Sequence, residues 1–282
     1  MSDGDREVPP GAAAPPRRAV PVVRRRWQGD WAPVDADHVA AEEPLEIRVE
    51  GRPLAVTMRT PGDDLDLAAG FLATEGVIDG PDDLTALAHV DDPLDPQGNT
   101  VDCVLAAGVP AARRDRAQRE FYASSSCGIC GKATIDRIFA SVPPLAHTLD
   151  PSPELLLSLG AKLRAAQDVF EHTGGLHAAA LFSASGELLC LREDIGRHNA
   201  VDKVIGSRLR ADAFPCEDTI LVVSGRAGFE IVQKALVARI PVLAAVGAPS
   251  SLAVRLAAES GMNLVGFLRD GRLNRYLRST PD

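Results

Sequence analysis

No run of apolar residues in this 282-residue chain is long enough to cross a bilayer. Its first segment, Met1 to Pro16, is polar and rich in proline and alanine, without the apolar stretch of a secretory signal. Both absences lead to the expectation of a cytoplasmic protein without a membrane partner. Cysteine is sparse. Five residues, at 103, 127, 130, 190 and 216, make an odd number without the density of a disulfide framework, which fits a reducing compartment. Positive charge is in deficit, and a net charge of −9 argues against nucleic acid as a partner. It also makes any local cluster of arginines informative. There is no internal repeat, no Walker lysine and no Gly-x-Gly-x-x-Gly. The signature of a zinc nucleoside deaminase, His-x-Glu followed by Pro-Cys-x-x-Cys, is missing too: His177 is followed by two alanines and the Cys-x-x-Cys comes before it. With 45% hydrophobic and 24% charged residues, the chain reads as soluble and globular, one large or two ordinary domains.

What is there centres on Tyr122-Ala-Ser-Ser-Ser-Cys127-Gly-Ile-Cys130-Gly131-Lys132. Two thiols three positions apart can close a small disulfide ring, supply half a metal site, or let one thiol resolve an adduct on the other. Gly128 and Gly131 free the backbone, and Lys132 favours a thiolate. A triple-serine lead and two glycines suit a pair of core cysteines poorly. The stretch follows a serine loop rather than the strand of a βαβ unit, which counts against a thioredoxin-like pair. His172 and His177, either side of Thr173-Gly174-Gly175, keep zinc open as a competing reading.

Residues 1–35, with their Pro-Pro pairs and the Arg24-Arg25-Arg26 run, lack periodicity and read as a flexible tail. Residues 36–120 read as a small α+β domain. A hairpin (Leu45–Val49, Leu54–Met58) leads to a helix opened by Thr60-Pro-Gly-Asp-Asp64 and stopped near Gly76, followed by a helical piece at Pro81–Ala88 and a strand at Val101–Ala106. Arg113, Arg114, Arg116 and Arg119 form a basic connector. Residues 121–282 carry the Cys-x-x-Cys loop, a short helix from Lys132 to Ser141, and a second domain. There, Ser152-Pro153 starts one helix whose apolar stripe runs to Phe170. A hairpin (Ala178–Phe182, Leu188–Leu191) then passes into alternating helices (199–209, 229–237, 250–259) and strands (220–223, 242–246, 264–268). Continuous apolar runs such as Ile220-Leu-Val-Val223 belong to parallel strands covered on both faces, so the expectation is an α/β fold: a three-layer α/β/α sheet with one antiparallel edge.

In such a sheet ligands sit where strands end and helices begin. Three loops qualify. Glu193-Asp-Ile-Gly-Arg-His-Asn-Ala-Val-Asp-Lys203 packs more ionisable groups ahead of a helix than capping requires. Ser224-Gly225-Arg226-Ala227-Gly228 resembles a phosphate cradle with an arginine beside it. The segment Phe267-Leu268-Arg269-Asp270-Gly271-Arg272, with further arginines at 275 and 278, offers charge-assisted contacts to a pyrophosphate; otherwise it is a solvated C-terminus.

Together, Cys127-Gly-Ile-Cys130, Thr173-Gly-Gly-Leu-His177, the Glu193–Lys203 run, Ser224-Gly-Arg-Ala-Gly-Phe-Glu230 with Lys234-Ala235, and Gly266-Phe267 followed by Asn274 resemble the FdhD family of sulfurtransferases required for formate dehydrogenase. The resemblance spans roughly residues 40 to 278. It implies a small N-terminal domain joined to a domain of cytidine-deaminase-like fold, a homodimer, and sulfuration of the molybdenum or tungsten bis(molybdopterin guanine dinucleotide) cofactor as cargo, with no resident metal. A cysteine desulfurase as sulfur donor and formate dehydrogenase are the partners it implies. Cys127 would accept the persulfide, and Cys130 would either attack its inner sulfur, leaving a Cys127–Cys130 disulfide, or take the persulfide over. Phe267, Leu268, Arg269, Asp270, Gly271 and Arg272, with His177, Ser224, Gly225 and Arg226, are the residues expected around the guanine dinucleotide, and the Glu193–Lys203 loop is expected to line the remainder.

Overall fold

The computed structural model describes residues 18–113, apart from 28, 30, 34–36, 92, 94 and 96, and residues 144–276. Cys127, Cys130, the helix expected from Lys132 to Ser141, and Arg278 lie outside the described residues. No helix among them is long and apolar enough to cross a membrane.

Part of the stretch read as a tail is strand. β1 (Ala19–Val22) pairs with β4 (Asp37–Ala40), and β2 (Arg25–Trp27) with β3 (Trp31–Pro33), both antiparallel. Both pairings lie within residues 19–40, and prolines with an arginine run do not advertise them. β5 (Glu43–Val49) and β6 (Arg52–Arg59) form the expected hairpin, and α1 (Asp64–Thr74) follows, ended by Glu75 and a left-handed Gly76. The helix expected over Pro81–Ala88 is instead a single 3-10 turn, Pro81–Asp83, and strand β7 (Leu84–His89). Pairing with β8 (Thr100–Leu105) overrides the helical preference of its alanines and leucines. The small sheet runs β6-β5-β8-β7, with only β5 and β8 parallel.

In the second half, Ser152 Oγ accepts the N–H of Leu155 at 3.2 Å and starts α2 (Pro153–Ala165). The single helix expected to reach Phe170 stops there, and α3 (Asp168–Thr173) resumes after Gln167. A left-handed Gly174 ends α3 and turns the chain into β9 (His177–Ser183), which is followed by β10 (Leu188–Asp194) and α4 (Arg197–Arg210). Then come β11 (Thr219–Val223), α5 (Phe229–Val237), β12 (Val242–Ala245), α6 (Ser251–Ser260), β13 (Asn263–Arg269) and β14 (Arg272–Tyr276). The sheet order is β10-β9-β11-β12-β13-β14, with β11, β12 and β13 parallel and antiparallel strands on both sides. The expected single antiparallel edge is therefore two. β14 lies where a solvated terminus was the alternative. Strand periodicity divides the apolar residues between faces: Ala180, Phe182, Val222 and Ala244 meet α2, while Leu181, Leu221, Val223 and Leu243 meet the cluster built on α4, α5 and α6.

That second cluster continues through α4 and α1 into the small sheet, so the two halves share one core. At the crossing the helix backbones touch. A Cβ on Gly70 would lie 1.8 Å from the carbonyl oxygen of Asp202, and one on Gly206 1.8 Å from that of Asp66. Only glycine fits either place.

Candidate functional site

The exits of the three parallel strands are made of small residues stitched to one another. Ser224, the first residue past β11, accepts the Ala178 N–H on its Oγ at 2.8 Å, tying β11's exit to β9's entrance. Gly247 N–H donates to the Gly225 carbonyl at 2.9 Å, and Phe267 N–H to the Gly247 carbonyl at 3.1 Å. The loops interlock closely: a Cβ on Gly247 would sit 2.9 Å from that Gly225 oxygen, and one on Gly225 3.3 Å from His177 Nδ1. Because β9 runs antiparallel to β11, His177 at its start stands on the same edge as these exits. Four segments far apart in sequence meet there.

The fourth is the end of the β13–β14 hairpin. Asp270 and Gly271, with φ of 53° and 70°, form its two-residue turn between the paired Arg269 and Arg272. An Asp-Gly between strands is a hairpin signal, one the sequence reading did not use here. A shift of register between Gly266 and Arg269 puts Phe267 at φ 56°, a conformation an aromatic residue rarely adopts and one that costs of order 1 kcal/mol or more. The bulge turns Leu268 into the buried cluster under α2 and leaves Arg269 stacked at 5.9 Å over the Phe267 ring.

Between this edge, α2 and α3 lies a cavity of about 690 Å³. His177, Ser224, Leu268, Arg269, Asp270 and Gly271 line it. Gly225 and Phe267 adjoin it, while Arg226 is exposed and Arg272, 72% exposed, reaches only to 4.0 Å from Asp270. Neither of these two arginines is among the lining residues. The opposite wall was not anticipated: Gly160, Arg164 and Gln167 from the α2 end, and Phe170 from α3. Helical periodicity marks such positions only as inward-facing, not as facing a void. Gly160 lets α2 close on the hairpin, since a Cβ there would come within 3.2 Å of Leu268 Cγ.

His177 is half-buried, and burial, reinforced by the charges of Arg197, His198 and Arg226, holds its pKa below the ordinary value. It faces the cavity as a neutral ring, both donor and acceptor. His172 does not line the cavity, and among the described residues no group of three or more His, Cys, Asp or Glu is placed to hold a metal ion.

The Glu193–Lys203 loop does not line the cavity as expected. Its polar groups are occupied by the fold. Asp194 and Lys203, both fully buried, pair at 2.7 Å; Asp194 also accepts the N–H groups of Thr60 and Gly196, and Lys203 Nζ donates to the Thr60 carbonyl. Asn199 Nδ2 donates to the Met58 carbonyl at 2.8 Å. Asp202 meets Thr74 Oγ1 and Lys234 Nζ at 2.8 and 2.9 Å. Glu193 accepts the N–H groups of Val169 and Phe170, both at 2.9 Å, capping α3 from across the sheet. His198 pairs with Glu230 at 2.7 Å, a hydrogen bond that holds the Glu230 carboxyl below its usual range.

The three described thiols are free and unsuited to nucleophilic work. Burial pushes Cys103 and Cys216 up to about 12, and raises Cys190 as well.

The model of the FdhD/NarQ family matches residues 40–280. The chain is 53% identical over 245 residues to the sulfur carrier protein FdhD of Streptomyces avermitilis, covering 85% of this chain and 87% of that one. It is 48% identical over 264 residues to the protein of the same name from Mycobacterium tuberculosis, covering 90% and 95%. A crystal structure of a protein described as a formate dehydrogenase accessory protein from Desulfotalea psychrophila superposes with a TM-score of 0.73 at 25% identity, over 93% of this chain and 97% of that one.

Proposed function

The chain belongs to the FdhD/NarQ family, and from that premise we propose that it carries sulfur from a cysteine desulfurase to the molybdenum or tungsten bis(molybdopterin guanine dinucleotide) cofactor, for the benefit of formate dehydrogenase. The observation that carries this reading is the convergence of His177, Ser224 and Leu268–Gly271 on one cavity at the C-terminal edge of the parallel strands. An apolar hollow with a half-exposed arginine at its mouth and a neutral histidine on its wall suits a nucleotide arm of such a cofactor. Gly225 and Phe267 adjoin that arm, and Arg226 and Arg272 meet its phosphates from the rim.

With Cys103, Cys190 and Cys216 held as thiols, Cys127 and Cys130 are left to do the chemistry. The Cys127 thiolate attacks the outer sulfur of the desulfurase persulfide; the bond to the donor's cysteine breaks, the donor leaves as a thiolate, and Cys127 becomes a persulfide. At the cofactor, the Cys130 thiolate attacks the inner sulfur and releases the outer one as hydrosulfide, leaving a Cys127–Cys130 disulfide that a dithiol reductant restores. A homodimer remains the expected assembly.

Incubation with a desulfurase and cysteine, followed by mass spectrometry, is expected to add one sulfur atom to the peptide holding Cys127 and none to those holding Cys103, Cys190 or Cys216. Undiminished loading in Cys127→Ser would overturn the assignment.

A further inference from the structure

One polar atom in the cavity wall, Gln167 Nε2, has no partner among the described residues. Gln167 joins α2 to α3, and its main chain is satisfied: its N–H donates to the Arg164 carbonyl at 3.4 Å and its carbonyl accepts from Glu171 N–H at 3.2 Å. Its side chain is not. The residue is 5% exposed, it lines the cavity, and Nε2 is enclosed without a partner among the described residues. A donor buried without its hydrogen bond destabilises the fold, and a leucine or methionine in its place would avoid that cost. A group that the folded chain leaves unsatisfied beside a void is explained by something that enters the void.

What enters is constrained by the wall around it. Leu163, Leu176 and Leu268 flank the cavity, and Arg164 on that wall is already paired with Glu171 at 2.6 Å, so a phosphate buried at this depth would lose its hydration for little in return. A planar, uncharged group with a donor beside an acceptor meets the amide on both counts, because Gln carries the same complement and can turn end for end to match it. Phe170, with the Arg164 guanidinium 4.9 Å over its ring, adds a flat surface on the same wall. Two further charged groups that line the cavity, Arg269 and Asp270, belong to the hairpin turn, where Arg269 is half-exposed.

Resting on the nucleotide reading above, we infer that Gln167 holds the nucleobase, its amide paired with the N1–H and O6 edge of guanine. The base lies inward against α2 and α3, and the diphosphate points out past Arg269.

Calorimetric titration of the full chain with guanosine diphosphate and with inorganic pyrophosphate tests this. In Gln167→Leu and Gln167→Met, the affinity for guanosine diphosphate falls about tenfold or more, the affinity for pyrophosphate is unchanged, and the melting temperature without ligand is equal or higher, since the unsatisfied amide is gone. Arg269→Ala gives the opposite pattern, weakening both probes together. Guanosine diphosphate bound equally well by the Gln167 variants and the parent chain overturns the base assignment and leaves the nucleotide site standing. A fall in melting temperature with parallel loss of both probes assigns Gln167 a structural role and overturns it as well. A parent chain that binds neither probe overturns the nucleotide reading itself.

Discussion

The Glu193–Lys203 loop and the cavity at the sheet edge have opposite economies. The loop is dense in ionisable residues, and nearly all of them are occupied: Asp194 with Lys203 and Thr60, Asn199 with Met58, Asp202 with Thr74 and Lys234. The cavity edge is sparse in charge, but its groups are underused, from the orphan amide of Gln167 to Arg269, whose nearest carboxylate stands at 3.9 Å. Density of charge therefore marks the joint between the two halves, and the cavity wall keeps a donor, Gln167 Nε2, that the described residues leave unmet. The two regions touch at Glu193, which caps the helix bearing Phe170 and, one residue before it, Gln167.

The largest effect expected from breaking this contrast is in the joint. Asp194→Ala leaves Lys203 buried without its counter-charge and strips Thr60 and Gly196 of an acceptor, so unfolding in denaturant is expected to show a loss of about 3–5 kcal/mol. A loss below about 1 kcal/mol, together with lost nucleotide binding, would return the loop to the active chemistry. Glu193→Ala, at the point of contact, removes a cap worth about 1–2 kcal/mol. It should lower the melting temperature and weaken guanosine diphosphate together, because the α3 wall loosens; nucleotide affinity that survives the stability loss would detach the two regions.

The smallest effect is a pH dependence at His177. Burial lowers its pKa in the folded chain below the ordinary 6.5, so between those two values the unfolded state holds more protons than the folded one. Stability contributed by the neutral ring is present above pH 6.5 and is lost as the pH falls through that window. Melting curves across it should therefore drop less steeply in His177→Gln than in the parent chain, and parallel curves would show that the ring is not held neutral.

Much of the architecture was legible because it is local or nearly so. Continuous apolar runs marked β11 and β12, Ser152-Pro153 marked the start of α2, and Gly261, left-handed in the structure, marked the end of α6. The misreadings fall where strand pairing overrides what the composition of the segment suggests. β7 has the composition of a helix and becomes a strand through β8, and β1 is a strand through β4. The interrupted α2–α3 pair reads as one stripe because Ala166 and Phe170 keep the period across the break. Of the candidate site, His177, Ser224 and the Leu268–Gly271 segment were placed by residue type beside strand ends and line the cavity, whereas Arg226 and Arg272 do not line it.

By itself, the sequence determined the kinds of chemistry available, the alternation of the large sheet, and the motifs that mark the family, since each is written in residues close together along the chain. Only the tertiary structure decided which polar groups are free to meet a ligand. Asp194 finds the Thr60 amide 134 positions away and Lys234 finds Thr74 160 positions away, while Gln167 Nε2 finds no partner among the described residues. A hydrogen bond acts over about 3 Å, so whether a buried group has one depends on which distant segment the packing brings beside it.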